Sequence, residues 1–347
     1  MEIELLRQLV GTPRPAGDEA AAARLWRGFA QPWADEVRSD VRGNSLAILH
    51  GSPLRVLLDG HLDEIGLMTT YVDADGFLRF NTIGGWDGQV LVGQRVVLQG
   101  RDGPVRGVVG RPPIHLLKGP PVPAEVEELW IDIGAKDKAE ALTLVRVGAT
   151  AVVDGELLDF PNGRLVARGL DNAAGAFVVI EALHRLAEDR PAATVAAVAS
   201  VHEEIGGAGA RAATFAFDPQ VALVVDVTYT TDDPGGDKRQ YGEVSLGTGP
   251  VLGRGAANSP VLYDMLLELA EREGIPHTLQ HTPKFTGTNA ESIHHMRGGV
   301  ATAVVSIPLR YMHSPCEMIQ VDDLEQTVRL IVAFVRTLHA DTDFVPR

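Results

Sequence analysis

The first thirty residues carry the apolar pattern of amphipathic helices. Their leucine and valine positions fall three or four residues apart, so they share one helix face. We predict helix across most of residues 2–30, with Asp18 as the cap of a second helix. Residues 35–50 alternate between apolar and polar positions, which predicts a pair of strands, and the apolar run at 54–58 predicts a buried strand.

The pattern changes between residues 67 and 160. Short alternating runs are separated there by turns rich in Gly and Asp, such as residues 73–76 and 100–104, and they show little helical period. These features predict an all-β module of the barrel type. The prolines within residues 112–123 predict a rigid loop inside this module.

Helical stretches and apolar runs alternate again from residue 164 onward. The predicted helices are residues 173–187, 208–213, 260–272, 288–296 and 322–338, and the predicted strands are residues 194–201, 221–227 and 300–307. Such alternation predicts a mixed, largely parallel sheet covered by helices on both faces. We therefore predict an α/β fold in which residues 1–66 and 161–347 form one discontinuous domain, with an inserted all-β barrel-like domain at residues 67–160.

Composition narrows the class of protein. The chain has 347 residues and a net charge of −15, with no basic run that would neutralise a nucleic-acid backbone. Cys316 is its single cysteine, which excludes an internal disulfide and a thiolate zinc site, and we expect this thiol to be buried. Neither a signal-peptide pattern nor an apolar run of membrane-spanning length is present, so we expect no membrane partner and a cytoplasmic location.

Residues with metal-binding chemistry follow the predicted strand at 54–58. His61, Asp63 and Glu64 come just after its end, and open α/β sheets bind ligands at the carboxyl ends of their strands. His61 can offer one ring nitrogen to an ion while a carboxylate holds the other nitrogen, and Asp63 suits that task. A pair of this kind taken alone is more often a polar strand end without an ion.

Further candidates lie at the ends of later predicted elements. They are Asp171, the adjacent pair Glu203 and Glu204, Asp226 and His313. Asp171 precedes a helix, where it would also serve as an N-cap. The glutamate pair directly follows an apolar strand, where two acids are costly unless positive charge meets them. Asp226 lies inside an apolar run, and a buried carboxylate must be paired, protonated or metal-bound.

Together these side chains suit two divalent ions. Histidine and carboxylate ligands fit zinc or cobalt, and also manganese, with one carboxylate shared between the ions. Two-metal sites of this kind serve hydrolysis, because the ions lower the pKa of a bound water toward about 7 and a nearby carboxylate accepts its proton. Either Glu203 or Glu204 can be that base, with the other as a ligand.

Several segments together resemble one protein family. They are residues 61–66, 83–86, 132–135, 170–172, 203–206, 226–228, 233–235 and 308–315. The chain is similar, over nearly its whole length, to the dinuclear metallo-aminopeptidases of the glutamyl-aminopeptidase group, which includes the tetrahedral (TET) aminopeptidases. The Glu-Glu pair and the Arg-Tyr-Met-His-Ser run are the most distinctive matches. The resemblance implies a phosphorylase/hydrolase-like catalytic domain and makes the insert at 67–160 a dimerisation domain.

The resemblance also implies a ligand set. His61 and Asp226 would hold one ion, Glu204 and His313 would hold the other, and Asp171 would bridge the two ions.

It further implies that Glu203 is the general base and that Asp63 orients His61. We add Gly287, Thr288 and Asp233 as candidates for the substrate pocket.

The activity implied is metal-dependent removal of N-terminal residues from short peptides with a free N-terminus. The implied assembly is a homo-oligomer of dimers, up to a dodecameric tetrahedral shell. Ala173 and Asn289 depart from the family pattern, which usually has Arg and Asp at these positions. Two other functions stay open: a dinuclear-metal amidohydrolase of the deacylase or carboxypeptidase type, and a catalytically inactive peptide-binding assembly.

Overall fold

The computed structural model describes residues 3–116 and 123–347, and its strands form two principal β-structures. One is an eight-stranded sheet built from both ends of the chain, and the other is a closed barrel built from the middle of the chain. This arrangement is the predicted α/β fold with an all-β insert. The proline-rich loop predicted at 112–123 lies partly outside the described residues.

The large sheet has parallel strands at its centre. In spatial order its strands are β1 (Glu36–Ser39), β2 (Ser45–Leu49), β12 (Ala193–Ser200), β3 (Ser52–His61), β13 (Val221–Tyr229), β16 (Ala301–Leu309), β14 (Val251–Gly255) and β15 (Thr278–Thr282). The four strands β12, β3, β13 and β16 run parallel to one another, and so do β14 and β15. The other pairs are antiparallel, so the sheet is mixed, as predicted.

Helices cover both faces of this sheet. One face packs against α1 (Glu4–Gly11), α2 (Ala20–Ala30), α5 (Leu170–Glu188), α8 (Pro260–Arg272) and α10 (Val321–Thr337), and the other against α6 (Ala208–Phe217) and α9 (Ala290–Ile293). Neighbouring strand residues alternate between these two hydrophobic clusters, as Leu58 and Leu57 do. Because both faces are buried, the central strands are apolar almost throughout.

The barrel has its own hydrophobic core. Its strands, in order around the barrel, are β4 (Gly66–Val72), β5 (Leu78–Ile83), β8 (Trp130–Asp132), β7 (Pro104–Gly110), β6 (Arg95–Gln99) and β9 (Thr150–Val153). Leu67, Phe80, Leu98 and Ile131 lie in its interior. Three short α-helices complete the described α-helices: α3 (Gly88–Leu91), α4 (Lys138–Leu144) and α7 (Lys238–Tyr241). No helix within the described ranges is both long and apolar enough to cross a membrane.

A small antiparallel sheet follows the barrel. It consists of β10 (Leu158–Phe160), β11 (Arg164–Ala167) and β17 (Glu317–Gln320), so it joins the end of the insert to the C-terminal part of the chain. The last barrel strand ends at Val153, and the predicted domain boundary at residues 160 and 161 falls between β10 and β11. The division into domains stays a prediction.

Three local predictions are wrong. Asp18 does not cap α2, because its carboxylate accepts a hydrogen bond from the Thr150 hydroxyl of the barrel at 2.8 Å. Helix α9 has four residues and does not span 288–296, because the chain turns soon afterwards through Arg297 at a φ of +52°. Cys316 is exposed and not buried, because it lies in a loop that precedes β17.

The parallel strands determine where the polar residues meet. All four central strands end at the same edge of the sheet, and β3 ends at His61, which is in register with Ser200 near the end of β12. On the other side of β3, Asp226 of β13 is in register with Ser306 of β16. Residues at or just beyond these strand ends are therefore close in space although they are far apart in sequence.

Candidate metal centre

Six predicted polar residues meet at the carboxyl edge of the sheet. His61 and Asp226 belong to β3 and β13, and the other residues lie in loops or at a helix start near the same edge. The six are His61, Asp171, Glu203, Glu204, Asp226 and His313.

One group of ligand atoms surrounds the imidazole of His61. Its Nε2 atom lies 3.2 Å from Oδ1 of Asp171 and 3.6 Å from Oδ1 of Asp226. Ligand atoms of these three buried residues all lie within 4.8 Å of one another. Two carboxylates and one imidazole at this spacing form a donor set that suits a divalent ion.

A second group surrounds the imidazole of His313. Its Nε2 atom lies 3.5 Å from Oδ2 of Asp171 and 3.6 Å from Oε2 of Glu204. These three residues also offer ligand atoms within 4.8 Å of one another. Asp171 thus presents one carboxylate oxygen to each group, which is the arrangement expected of a bridging ligand.

Asp63 positions neighbouring residues of the site through hydrogen bonds. The Nδ1 atom of His61 lies 3.0 Å from the main-chain oxygen of Asp63, and its distance to the Asp63 carboxylate is 3.5 Å. The Nδ1–H group therefore donates to the main chain, which leaves Nε2 free to face the other ligands. The carboxylate of Asp63 instead accepts the backbone N–H groups of Glu203 and Glu204 at 3.0 and 3.1 Å. Asp63 thus fixes both His61 and the glutamate pair.

The charges of the site perturb one another. Burial lowers the pKa of His61, but Asp226, Asp171 and Asp63 together raise it well above its usual value. For Asp171, burial raises the pKa, but hydrogen bonds from His313 and His61 lower it below its usual value. Such opposed shifts are typical of functional sites.

The glutamate pair is held in an environment that favours the protonated form. Burial raises the pKa of Glu203 to about 8, with His61 opposing the shift and Asp226 adding to it. Burial, and then the charge of Asp171, raise the pKa of Glu204 well above its usual value. Positive charge bound at the site would reverse these shifts, because it favours the ionised carboxylates.

A second observation indicates that this donor set suits bound cations. The Oε1 atom of Glu204 is buried and has no hydrogen-bond partner in the part of the chain that the structure describes. A buried carboxylate oxygen without a partner is costly unless a cation or water meets it. Four carboxylates against two imidazoles likewise leave negative charge that divalent ions would neutralise.

Close backbone packing brings Asp171 to this edge. A Cβ atom at Gly60 in β3 would lie 2.5 Å from the carbonyl carbon of Gly175 in α5, so the strand and the helix touch where only glycine fits. Asn172 donates its side-chain amide to the Val225 carbonyl at 2.8 Å and accepts the Gly175 N–H at 2.8 Å. Asn172, which follows Asp171, is therefore bonded to Val225, which precedes Asp226.

The barrel also reaches the site. A Cβ atom at Gly84 would lie 3.2 Å from Oε2 of Glu204, and one at Gly85 would lie 3.2 Å from Nδ1 of His313. Asp171 raises the pKa of His313, burial opposes this shift, and the backbone of Gly85 adds a smaller contribution that raises it. The glycines of segment 83–86 thus border the second ligand group.

The predicted substrate residues have local contacts. Asp233 accepts the N–H of Gly235 at 2.7 Å, which closes a turn. Gly287 is exposed with a φ of +67°, and the Thr288 N–H donates to Glu291 at 3.1 Å. These contacts shape two loops, and the role of the three residues in substrate binding stays a prediction.

Both departures from the family pattern are buried. Ala173 is fully buried in the first turn of α5. Asn289 donates its amide to Asp59 at 2.8 Å and to the Ser200 hydroxyl at 2.9 Å. Asn289 therefore connects the strand that ends at His61 to the strand that precedes the glutamate pair.

Sequence reasoning did not assign these supporting residues. Asn172, Gly84 and Gly85 lie in segments that match the family pattern, but the matches carried no role for them. Asn172 acts through backbone groups of β13, and the glycines act through the absence of a side chain. One sequence feature could have indicated Asn172, because Gly175 follows it three positions later. This local pattern does not reveal which distant segment the asparagine contacts.

Comparison with known proteins places this fold among hydrolases that act on peptide bonds. The family model described as M42 glutamyl aminopeptidase matches residues 43–330. The chain belongs to the M42 glutamyl aminopeptidase family. The predicted family, fold class and enzyme class are confirmed.

Individual relatives match over nearly their full length. The chain is 35% identical to the lysyl aminopeptidase of Pyrococcus furiosus, with 99% of each protein covered. It is 33% identical to a TET aminopeptidase from the marine sediment archaeon Thaumarchaeota archaeon SCGC AB-539-E09, with a TM-score of 0.93 over 98% of this chain and 97% of the other. It is also 30% identical to a peptidase of Pyrococcus horikoshii that can assemble into a tetrahedron or a large octahedral shell, with a TM-score of 0.87 over 97% and 99% of the two chains.

Proposed function

We propose that this protein is a two-metal aminopeptidase that removes N-terminal residues from short peptides with a free N-terminus. One observation carries the proposal: Asp171 directs its two carboxylate oxygens toward two separate imidazoles, His61 and His313, at 3.2 and 3.5 Å. That geometry is expected of a carboxylate shared by two ions.

The distances support a division of ligand roles. His61 and Asp226 would hold one divalent ion, Glu204 and His313 would hold the other, and Asp171 would bridge them. Zinc and cobalt fit this set of imidazole and carboxylate donors best, and manganese also fits. Two bound ions would supply a water of lowered pKa and would polarise the scissile carbonyl.

Glu203 is the proposed general base. Its Oε2 atom lies 4.0 Å from Nε2 of His61, and its side chain is partly accessible, so it borders the ligand cluster without being enclosed in it. Its backbone N–H is held by Asp63, which fixes where the side chain starts. In the proposed reaction Oε2 accepts a proton from the attacking water and then delivers it to the nitrogen of the leaving amine.

Substrate class and assembly follow the relatives. The names of the similar proteins are those of aminopeptidases, which supports peptides with a free amine as substrates. The shell described for the Pyrococcus horikoshii peptidase supports a homo-oligomer. In such an assembly, the barrel would be the dimerisation domain. A cytoplasmic location stays a prediction.

A matched pair of peptides tests the proposed activity. A short peptide with a free N-terminus should be hydrolysed, and the same peptide with an N-acetyl group should not, because the blocked amine cannot be recognised. Release of the N-terminal amino acid is measured for both peptides, and release of acetate is measured for the blocked one, under metal-replete conditions. Cleavage of the blocked peptide alone would favour the deacylase alternative, and no cleavage of either would favour the inactive assembly.

The same assay tests the base. Glu203→Gln should lower kcat by about 10²- to 10⁴-fold, because the amide cannot accept the proton, while metal content and thermal stability are retained. Glu268→Gln, on the exposed side of α8, is the matched control and should behave as wild type. Wild-type turnover in the Glu203 variant would end the assignment of this residue as the base.

A further inference from the structure

A buried carboxylate outside the predicted ligand set contacts two of the ligand residues. Glu317 is 2% exposed at the start of β17. Its Oε1 atom accepts the backbone N–H of His313 at 2.9 Å, and its Oε2 atom accepts the backbone N–H of Asp171 at 3.1 Å. Each oxygen thus holds the main chain of a different candidate ligand.

Asp171 and His313 are far apart in the sequence and belong to different segments. Asp171 lies in the first turn of α5, 146 residues before Glu317, whereas His313 lies in the loop after β16. The backbone of His313 has a φ of +57°, in the left-handed region that side-chain-bearing residues seldom adopt. A residue in such a loop depends on contacts from outside it to keep its position.

Glu317 itself is on a fixed element. It is paired with Ala167 in the β11–β17 ladder, and β11 leads directly into the start of α5. The next residue, Met318, forms a bridge with Arg310 just ahead of the His313 loop. Glu317 therefore stands between the two segments that it holds, with its own backbone anchored to both.

We propose that Glu317 is a positioning residue that sets the spacing between the bridging carboxylate of Asp171 and the imidazole of His313, and so determines how tightly the ions are held. The proposal rests on the two-metal function proposed above. Groups that orient metal ligands without touching the ion commonly contribute about 10- to 100-fold in metal affinity. The side chain does not contact the reacting atoms, and its effect acts through the two ligands.

The chain contains a matched control for a purely structural role. Asp323, at the start of α10, is also fully buried, and its carboxylate accepts the backbone N–H groups of Gly247 and Gly249 at 2.8 and 2.7 Å. It joins a helix to a loop in the same manner as Glu317 does, but neither of its partners is a candidate ligand. Loss of either carboxylate should lower stability, and loss of Glu317 alone should weaken metal binding.

The test compares metal-free wild type, Glu317→Gln and Asp323→Asn. Zinc affinity is measured by competition with a chromophoric chelator, and melting temperature is measured without metal. Glu317→Gln should bind zinc about 10- to 100-fold more weakly, because an amide can accept only one of the two N–H groups. Asp323→Asn should have a lower melting temperature than wild type but the same affinity for zinc. Excess zinc should restore the turnover of Glu317→Gln with an unchanged KM for peptide.

Several outcomes would overturn the proposal. Wild-type zinc affinity in Glu317→Gln would do so, and so would an equal loss of affinity in the Asp323 variant, since that would trace the effect to general stability. If Glu317→Gln does not fold, Glu317→Asp decides in the same assay, because the shorter side chain cannot reach both N–H groups and should also bind zinc weakly. Absence of zinc binding by wild type would instead overturn the proposed metal function.

Discussion

A buried pair explains one departure from the family pattern. Asp59 is fully buried two residues before His61, and its Oδ2 atom accepts the amide of Asn289. Burial raises the pKa of Asp59 to about 6, although hydrogen bonds from Ser200 and Asn289 oppose the shift. An aspartate at position 289 would set a second carboxylate against Asp59, so the asparagine is matched to its buried partner.

Exchange of the two groups tests this pairing. Asn289→Asp should lower the free energy of unfolding by about 1.5–3 kcal/mol, because a hydrogen bond to a charged group becomes a contact between two carboxyl groups. Asp59→Asn in the same chain should restore most of the loss, since the donor and acceptor are then exchanged. Chemical denaturation measures both variants.

A substitution at an exposed asparagine serves as the control for Asn289→Asp. Asn81→Asp adds the same charge at an exposed position and should have little effect on stability. If the double variant is no more stable than Asn289→Asp alone, Asp59 is not the reason for the asparagine.

Some candidate ligand residues stood out in the sequence because they break a local pattern, whereas the ligand roles came from the family resemblance. Asp226 interrupts an apolar strand, and the Glu203–Glu204 pair follows another strand directly. Asn172 and Glu317 gave no such signal. They act on backbone groups of segments that become neighbours only in the folded chain, and no local sequence pattern reports such contacts.

At the scale of elements, the central strands of the large sheet could be predicted from the sequence, but β14 and β15 on one side of it could not. Strands β12, β13 and β16 are buried on both faces, so their sequences are mostly apolar. Strands β14 and β15 are short and include Gly, Arg, Gln and His, and the sequence analysis missed them. Their pairing depends on the neighbouring β16 and on tertiary packing, and not on a pattern of their own.

The turn that follows β5 provides an element-scale prediction. A Cβ atom at Gly85 would lie 3.2 Å from Nδ1 and 3.4 Å from Cε1 of His313, so Gly85→Ala should displace this imidazole. We expect metal affinity to fall by about 10- to 100-fold, as for other changes beside a ligand. Binding is measured by titration of the metal-free protein.

Gly155→Ala is the matched control, because a Cβ atom there meets nothing within 4 Å. Equal metal affinity in the two alanine variants would show that the barrel turn does not support the site.

At the scale of the whole molecule, the barrel and the α/β part meet at the candidate site. The barrel supplies Gly84 and Gly85 beside the ligands, and Thr150 of the barrel binds Asp18 of the N-terminal segment. The net charge of −15 favours the approach of divalent cations and of the free amine of a peptide. All six residues of the cluster lie in the α/β part, so the pattern of that part indicated them, whereas the bordering glycines lie in the insert.

The most direct test of the account is a titration of the metal-free protein with zinc or cobalt, with release of the N-terminal amino acid from an unblocked peptide as the readout. The account predicts that activity rises until about two equivalents of ion per chain are bound and then levels off. Full activity in the metal-free protein, or no activity once both ions are bound, would contradict it.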